Sequence, residues 1–399
     1  MDPFLVGEDL KNALTILPSY NDSIRSASKA ERLLALNNIF DVYYPSMMAA
    51  EIYSKLYLAY VRAWQKKNTI TAIQQGYENR KAAKGQFYKG IIGGCDSFTI
   101  IGASGIGKSA AISRAISLIS KSIPEEDNTQ TIPFLAIQTP GDSSLKGLLM
   151  EILRTVDAML NTKYYQDAIR SRATVDMLVG LVSQVSLNHL CVLIIDEAQN
   201  LVSAKNGQTL VNTLVQLINN SGISLCFVGT PECSTFFESA FQLARRSVGL
   251  RYSALAYDDY FCALCKVLYS YQYTARASAI TEDIISWLYL HSSGITAIVV
   301  GLIHAAQEIA ILDGVETLSL EMFRRAYKRR MAMLYGYLSE QGTPVKTFVQ
   351  HLDTQDFKQA DTTYAEAFSI ADIVTKAKRK NQDIVAALKQ HCTIEEICL

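Results

Sequence analysis

The sequence lacks the features that would define several classes of protein. Its 399 residues contain 38 basic and 38 acidic side chains, so net charge neither favours nor excludes a nucleic acid partner, and any basic surface must be local. No apolar stretch reaches the length of a membrane-spanning helix, and the N-terminus has no secretory signal pattern. Repeats and low-complexity tracts are also absent. With 49% hydrophobic residues, the composition predicts a soluble globular protein located in the cytoplasm.

The eight cysteines do not indicate a disulfide framework. They are scattered, and Cys191 and Cys226 fall in predicted core strands, which suits reduced thiols. Cys262 and Cys265 form a lone C-x-x-C pair in an aromatic, helical context. Because no second pair and no histidine cluster completes four ligands, the sequence favours buried thiols over a zinc site.

A glycine-rich loop lies between a predicted strand and a predicted helix. Residues 102–109 read GASGIGKS and match the phosphate-binding pattern G-x-x-x-x-G-K-[ST] at every position. Glycines let backbone N–H groups surround phosphate oxygens, and the helix presents its positive end to the same anion. The predicted nucleotide-binding residues are Gly102, Ala103, Ser104, Gly105, Ile106, Gly107, Lys108, Ser109 and Ala110.

Two residues of this loop receive individual roles. Lys108 is predicted to reach the β- and γ-phosphates of ATP as a point charge. Ser109 is predicted to supply a hydroxyl oxygen to Mg²⁺. The loop therefore predicts a site for ATP and Mg²⁺.

An apolar strand that ends in two carboxylates follows downstream. Residues 191–197 read CVLIIDE, and five apolar residues in a row predict a strand buried on both faces of a parallel sheet. Its C-terminal end is the edge where ligands bind in open α/β sheets. Asp196 is predicted to hold Mg²⁺, and Glu197 to act as general base on the attacking water.

A third apolar run, residues 223–228, ends in Gly-Thr-Pro. A hydroxyl at the tip of the strand beside the acidic one can orient the lytic water, so Thr230 is the candidate γ-phosphate sensor. Gly-Thr-Pro is also good turn chemistry, and a simple exit from the strand remains the alternative.

The order of elements predicts an α/β fold with a parallel sheet covered by helices on both faces, followed by a helical lid. The predicted strands include 97–101 and 133–138, with helices at 47–66, 144–160, 164–186 and 207–219. We predict an N-terminal helical extension (1–95) that contacts partners and approaches the nucleotide pocket, and a nucleotide-binding core (96–256). A helical lid (257–340) and a C-terminal tail (341–399) that contacts partners follow.

This layout resembles that of the AAA+ ATPases: a P-loop core with Asp-Glu at its second motif, a polar sensor and a helical lid. The resemblance extends to residues 242–246, QLARR, one predicted helix after the sensor strand. In AAA+ proteins an arginine at this place reaches the γ-phosphate of the neighbouring subunit and stabilises the transferring charge. The resemblance assigns this role to Arg246, with Arg245 as the second candidate. Two solvated arginines near a helix C-terminus are the alternative.

Among AAA+ proteins, the chain most resembles the TnsC group of transposition regulators from Tn7-like elements, which is related to TniB and MuB. Beyond the P-loop and QLARR, the resemblance includes IIDEAQ (194–199), VGTPE (228–232) and SSGIT (292–296), within residues 70–335. Many AAA+ lids have a basic residue after the glycine of the lid motif. Residues 295–298 (ITAI) contain none, which favours a slow ATP-dependent switch over a motor.

The resemblance implies a prokaryotic protein that forms ATP-dependent homo-oligomers, rings or helical filaments, on double-stranded DNA. It implies two further partners, the transposase subunits and a TniQ/TnsD-like target-selection protein. Ser143, Ser144 and Lys146 begin a predicted helix and are candidates for sequence-independent phosphate contacts. The alternative is a plain helix start, capped by Asp142 or Ser143, with Lys146 solvated.

Two basic clusters, at 324–330 and 376–380, are less favoured DNA surfaces because charge runs are usually solvated faces. Two other functions stay open. A helicase-loader or origin-binding AAA+ ATPase shares the same core. A STAND-type signalling ATPase without DNA would be favoured by a long repeat sensor domain, which this chain lacks.

Overall fold

The computed structural model describes residues 4–67, 97–123, 131–139, 144–202, 213, 221–233 and 249–331. These residues form a central sheet with flanking helices, a helical lid and an N-terminal segment that packs against both. The predicted helix at 207–219, except for residue 213, lies outside the described residues. Ser143, both QLARR arginines and the basic cluster 376–380 also lie outside them. The C-terminal tail predicted from residue 341 onward lies outside them as well.

The central sheet is parallel in every pairing and has the strand order β2-β3-β4-β1-β5. Its strands are β1 (Ser97–Gly102), β2 (Ile132–Gln138), β3 (Leu190–Asp196), β4 (Ser224–Gly229) and β5 (Leu250–Tyr252). Strands β1 and β4 are buried along their whole length, as continuous apolar runs predict for a sheet covered on both faces. The parallel sheet predicted from the sequence is confirmed. Strand β4 lies between β1 and β3, so the C-terminal ends of these three strands lie side by side at one edge of the sheet.

Helices cover both faces of the sheet. One face carries α5 (Leu145–Leu160) and α7 (Val175–His189), and the other carries α1 (Gly7–Leu14), α3 (Met47–Lys67) and α4 (Lys108–Lys121). Helix α5 illustrates the local cause, because five of its apolar residues recur at helical spacing and are fully buried in the core against the sheet. The helix ends at Asn161, which adopts a left-handed conformation.

The single helix predicted over 164–186 is two helices. Helix α6 (Tyr164–Arg170) ends before α7 begins at Val175, and Arg172 between them has a φ of 50°. Thr174 caps α7 by accepting a hydrogen bond from the N–H of Met177. Apolar periodicity continues across the break, which is why the pattern alone did not reveal it.

The lid consists of α9 (Asp259–Ser270), α10 (Glu282–Ser292), α11 (Thr296–Leu312) and α12 (Leu320–Arg330). Helix α11 is its centre, with most of its side chains buried among the other lid helices. A short helix α8 (Gln199–Val202) follows β3 in the sheet domain. In the described part of the chain, no helix combines the length and hydropathy needed to span a membrane.

The N-terminal segment contributes to two hydrophobic cores. Side chains of α1 and α3 pack with the sheet, whereas α2 (Lys29–Ala35) and the following 3₁₀ helix (Leu36–Asp41) pack with the lid. Leu36 and Ile39 are fully buried in the lid core. Residues 42–46 therefore cross from the lid to the sheet domain.

A buried ion pair attaches the segment to the lid. The guanidinium of Arg32 donates to both carboxylate oxygens of Glu316, at 2.5 and 2.8 Å, and to the carbonyl of Tyr273 at 3.1 Å. The Arg32 side chain is 5% exposed and that of Glu316 is 16% exposed. The hydrogen bonds from Arg32 lower the pKa of Glu316 below its ordinary value.

Candidate nucleotide site

The loop after β1 has the backbone conformation of a phosphate-binding loop. Gly105 and Gly107 have φ values of +80° and +97°, in the left-handed region that side chains other than glycine disfavour. Gly107 directly precedes α4, so the free N–H groups of the first helical turn face the loop. This is the arrangement that binds anions at a helix N-terminus.

Lys108 is buried at the base of this loop. Its side chain folds back so that Nζ donates to the carbonyl oxygens of Gly102, at 2.6 Å, and Ala103, at 2.9 Å. Burial lowers the pKa of Lys108, and the nearby carboxylates of Asp196 and Glu197 oppose this shift. The residue is only 9% exposed, so its charge acts inside the cavity with little screening by solvent.

Ser109 and Asp196 lie together although 87 residues separate them in sequence. The hydroxyl of Ser109 donates to the Asp196 carboxylate at 3.1 Å, while the other carboxylate oxygen accepts the N–H of Glu197 at 2.8 Å. Thr139, after β2, fixes the Asp196 carbonyl through its hydroxyl and its N–H, at 2.9 and 3.0 Å. A hydroxyl and a carboxylate are the hard oxygen ligands that Mg²⁺ prefers, so these residues fit that ion.

The remaining predicted residues close the site from the ends of β3 and β4. Glu197 is exposed, and its carboxylate accepts a hydrogen bond from the amide of Gln199. Thr230 follows β4, and its hydroxyl donates to the carboxylate of Glu232. Together with the loop, these side chains line a cavity of about 270 Å³.

The structure thus brings nine predicted residues to one cavity. They are the loop residues Ser104, Gly105, Gly107, Lys108, Ser109 and Ala110, with Asp196, Glu197 and Thr230. Gln199 also lines it, although the sequence reasoning assigned that residue no role. The signal was present in the IIDEAQ motif, two positions after the proposed base.

A larger cavity of about 1080 Å³ lies on the other side of the phosphate-binding loop. Its walls come from the N-terminal segment, α4, the residues after β5 and the lid, and both cavities include Gly105, Gly107, Ala110 and Ala297. The sequence reasoning did not identify this cavity. Polar and aromatic side chains that line it are Asp41, Tyr43, Tyr44, Arg114, Arg251, Tyr252, Asp258 and Tyr260.

Hydrogen bonds and a cation–π contact hold the side chains that line this larger cavity. Tyr252 donates to the carboxylate of Glu51 at 2.7 Å, and Tyr260 donates to the carbonyl of Tyr44 at 2.9 Å. The guanidinium of Arg114 lies 5.7 Å from the ring centre of Tyr43. Burial raises the pKa of Tyr260 well above its ordinary value, which keeps the phenol neutral.

The lid docks directly on the phosphate-binding loop. The N–H of Ala297, in the first turn of α11, donates to the carbonyl of Gly105 at 3.0 Å. The turn before α11 is held to the segment between β5 and α9, because Leu255 N–H donates to the Gly294 carbonyl at 3.0 Å. The positions where many AAA+ lids place a basic residue are thus occupied by side chains without charge that contact the loop.

The candidate DNA residues that are described lie away from both cavities. Ser144 is the N-cap of α5 and accepts the N–H of Gly147 at 2.9 Å, so the cap is Ser144 and not Asp142 or Ser143. Lys146 is exposed in the first turn of α5. Their contact with DNA stays a prediction.

The basic face of α12 is partly neutralised by acidic neighbours. Arg325 and Arg329 lie 3.9 and 3.3 Å from Asp313, and Arg330 lies 3.2 Å from Glu308. These ion pairs reduce the local positive potential that a DNA surface requires.

The cysteines of the C-x-x-C pair lie on α9 as free thiols. Burial raises the pKa of Cys265 to about 12, so this thiol is inert at neutral pH. Over the described ranges, no group of three or more histidine, cysteine or acidic side chains could hold a metal ion.

Comparison with known proteins agrees with this architecture. Residues 92–237 match a sequence family described as an AAA domain. No curated protein sequence matches the chain. This part of the chain is an AAA domain, and its P-loop core with the helical lid has the AAA+ fold. Such a domain implies nucleotide binding and ATPase activity.

Three solved structures resemble the fold. They are the Aeropyrum pernix ORC1 protein in complex with DNA (14% identity, TM-score 0.44, 65% of this chain and 64% of that chain), the Aeropyrum pernix ORC2 protein in its ADP form (18%, 0.42, 65% and 67%) and Drosophila ORC bound to DNA (12%, 0.47, 98% and 82%). The chain thus spans 64% of the length of the first of these proteins.

Proposed function

We propose that this chain is an ATP-dependent switch that assembles on double-stranded DNA and regulates transposition. The observation that carries the nucleotide part is the convergence of Lys108, Ser109, Asp196, Glu197 and Thr230 on one cavity beside the phosphate-binding loop. Residues from three strand ends supply a cation, a magnesium ligand pair, a base and a hydroxyl within that cavity. This is the set of groups that phosphoryl transfer to water requires.

Each group has a defined task in hydrolysis. Lys108 exchanges its two carbonyl partners for the β- and γ-phosphate oxygens. Ser109 and Asp196 would hold Mg²⁺, which would supply positive charge to neutralise the phosphates. Glu197 accepts a proton from the attacking water, and Thr230 orients that water with its hydroxyl.

The larger cavity receives the base and ribose. It adjoins the loop through Gly105 and Gly107, and its aromatic walls offer flat apolar surfaces to a purine ring. Because the N-terminal segment, the sheet domain and the lid all line this cavity, a bound nucleotide contacts all three. ATP would therefore stabilise one arrangement of the lid, as expected of a switch.

The DNA and transposition parts rest on the motif resemblance alone. In that proposal Arg246, or Arg245, completes the site of a neighbouring subunit, and ATP drives assembly of a ring or filament. Ser143, Ser144 and Lys146 contact the DNA backbone, and the assembled protein binds the transposase and a target-selection protein. The absence of a basic residue after Gly294 favours slow turnover.

Two variants test this proposal with duplex DNA, Mg²⁺ and ATP, by sedimentation and electron microscopy. Lys108→Ala should lose tight nucleotide binding and DNA-dependent assembly, because it removes the cation of the loop. Glu197→Gln should bind Mg-ATP normally but form longer-lived assemblies, since an amide cannot accept the proton. Assembly of Lys108→Ala with ATP, or equal assembly lifetimes for wild type and Glu197→Gln, would contradict the proposal.

The transposition role needs a separate measurement. We expect the ATP-bound assembly to recruit a transposase encoded beside this gene. That transposase should then insert its transposon into the bound DNA. Loading of a replicative helicase on the same DNA, without transposase binding, would instead favour an origin-binding or helicase-loading function.

A further inference from the structure

Gln199 connects the side chain of Glu197 to the end of β4. Its amide nitrogen donates to the Glu197 carboxylate, and its amide oxygen accepts the N–H of Thr230 at 3.3 Å. The residue opens the short helix α8, two positions after Glu197 and 31 positions before Thr230. One side chain thus spans the two strand ends that carry the proposed base and the proposed sensor.

The chemistry of the partners fixes the orientation of this amide. The backbone N–H of Thr230 can only donate, so the amide oxygen must face it. The ionised carboxylate of Glu197 can only accept, so the amide NH₂ must face it. If the amide were flipped, its NH₂ would face the N–H of Thr230 and its oxygen would face the Glu197 carboxylate. Neither pair could form a hydrogen bond, so the observed orientation is the favourable one.

The surrounding backbone holds Gln199 in place. The N–H of Ala198 donates to the carbonyl of Val228 at 2.9 Å, which attaches the turn to β4. A methyl group at Gly229 would lie 3.0 Å from the Gln199 amide oxygen and 2.6 Å from the sulfur of Cys233. The absence of a side chain at Gly229 therefore leaves the room that the Gln199 amide occupies.

We propose that Gln199 is a positioning residue that holds the Glu197 carboxylate toward the cavity and couples its position to Thr230. When Thr230 contacts a phosphate, a shift of the β4 end would move the Gln199 amide and, with it, the Glu197 carboxylate. This inference rests on the proposed hydrolysis of ATP at this cavity, and it adds the means by which the base and the sensor act together.

Gln199→Met keeps the length of the side chain and removes its hydrogen bonds to Glu197 and Thr230. We expect kcat for ATP hydrolysis to fall roughly tenfold, in the range seen when a partner that orients a functional ligand is removed. The KM for ATP should change by less than about twofold, because the binding residues are untouched. Gln184→Met, at another partly buried glutamine that lies on α7 and outside the cavity, is the matched control and should keep wild-type kcat.

A double variant separates positioning from a general structural effect. Gln199→Met should lower kcat no further when Glu197→Gln is already present, since it acts through that carboxylate.

Wild-type kcat in Gln199→Met, or additive losses in the double variant, would each overturn the role of Gln199. Failure of the underlying function is distinguishable, because it would show as unchanged nucleotide binding in Lys108→Ala or unchanged hydrolysis in Glu197→Gln. If those two variants behave as expected and Gln199→Met is silent, only the positioning role is wrong.

Discussion

Replacing Gly294 by alanine should displace the lid from the phosphate-binding loop. Gly294 precedes α11 with a φ of +72°, and a methyl group there would lie 2.1 Å from the carbonyl oxygen of Leu255. The chain offers a matched control. Gly314, at the end of the same helix, has a φ of +73°, and a methyl group there would approach nothing closer than the ammonium of Lys29 at 3.8 Å. Both substitutions impose the same backbone strain, but only one adds a collision with backbone.

The two variants should therefore differ in stability. The left-handed conformation costs a non-glycine residue about 1–2 kcal/mol, which both alanines incur. At Gly294 the collision can be relieved only if the turn moves, which breaks the hydrogen bond from Leu255 N–H to the Gly294 carbonyl and costs about 1 kcal/mol more. We expect Gly294→Ala to lower the free energy of unfolding by about 2–3 kcal/mol and Gly314→Ala by about 1–2 kcal/mol.

Urea unfolding gives the first comparison, and ATP affinity measured by calorimetry gives the second. The turn at Gly294 leads directly to Ala297, which bonds the loop, so Gly294→Ala should also weaken ATP binding. A loss of about 1.4 kcal/mol in lid docking corresponds to about tenfold in affinity. Gly314→Ala should bind ATP as the wild type does. Equal destabilisation of the two variants, or unchanged ATP affinity in Gly294→Ala, would refute this account of lid docking.

Three further predictions follow from other sites. Arg32→Met leaves the buried Glu316 carboxylate without its partner and should lower the free energy of unfolding by about 3 kcal/mol. That loss should shrink as pH falls, because the stranded carboxylate of the variant protonates first, and it should be smallest below the depressed pKa of Glu316 in the wild type, where the ion pair itself is lost. Lys146→Glu should weaken duplex binding equally across sequences and flatten its salt dependence, whereas unchanged binding would leave Lys146 a solvated helix residue. Arg246→Ala mixed with Lys108→Ala should regain part of the ATPase activity if the arginine acts across subunits, and no recovery at any ratio would exclude that role.

The sequence predicts the sheet well because the relevant signals are local. Continuous apolar runs define β1, β3 and β4, and the structure places their bounds within one residue of the prediction. The break at Arg172 was missed because apolar periodicity carries through it. Strand β5 was missed because it has only three residues, so its strand character depends on pairing with β1 and not on its own pattern.

The candidate site likewise contains residues with a local sequence signal and residues without one. The loop, Asp196 and Glu197 belong to short motifs whose spacing encodes their chemistry, and the sequence alone placed them in one site. The larger cavity depends on contacts between segments more than 200 residues apart, such as Glu51 with Tyr252 and Tyr44 with Tyr260. No local pattern encodes such a pairing, because each partner taken alone is an ordinary tyrosine or glutamate. Gln199 is an intermediate case. It belongs to a recognised motif, but its proposed role depends on Thr230 at the end of the neighbouring strand β4.

In the proposed switch, the lid can respond to nucleotide without a charged residue of its own, because it contacts the phosphate-binding loop. Gly105 contacts the cavity on one side and the lid on the other, where a methyl group would lie 3.0 Å from the side chain of Ile295 and 3.3 Å from that of Ala297. Its carbonyl accepts the Ala297 N–H, so the loop conformation that would surround phosphate also sets the position of α11. A lid coupled through backbone contacts of this kind moves with the loop itself. Nucleotide can therefore change the lid position by ordering the loop, without a cation that reaches from the lid to the phosphates.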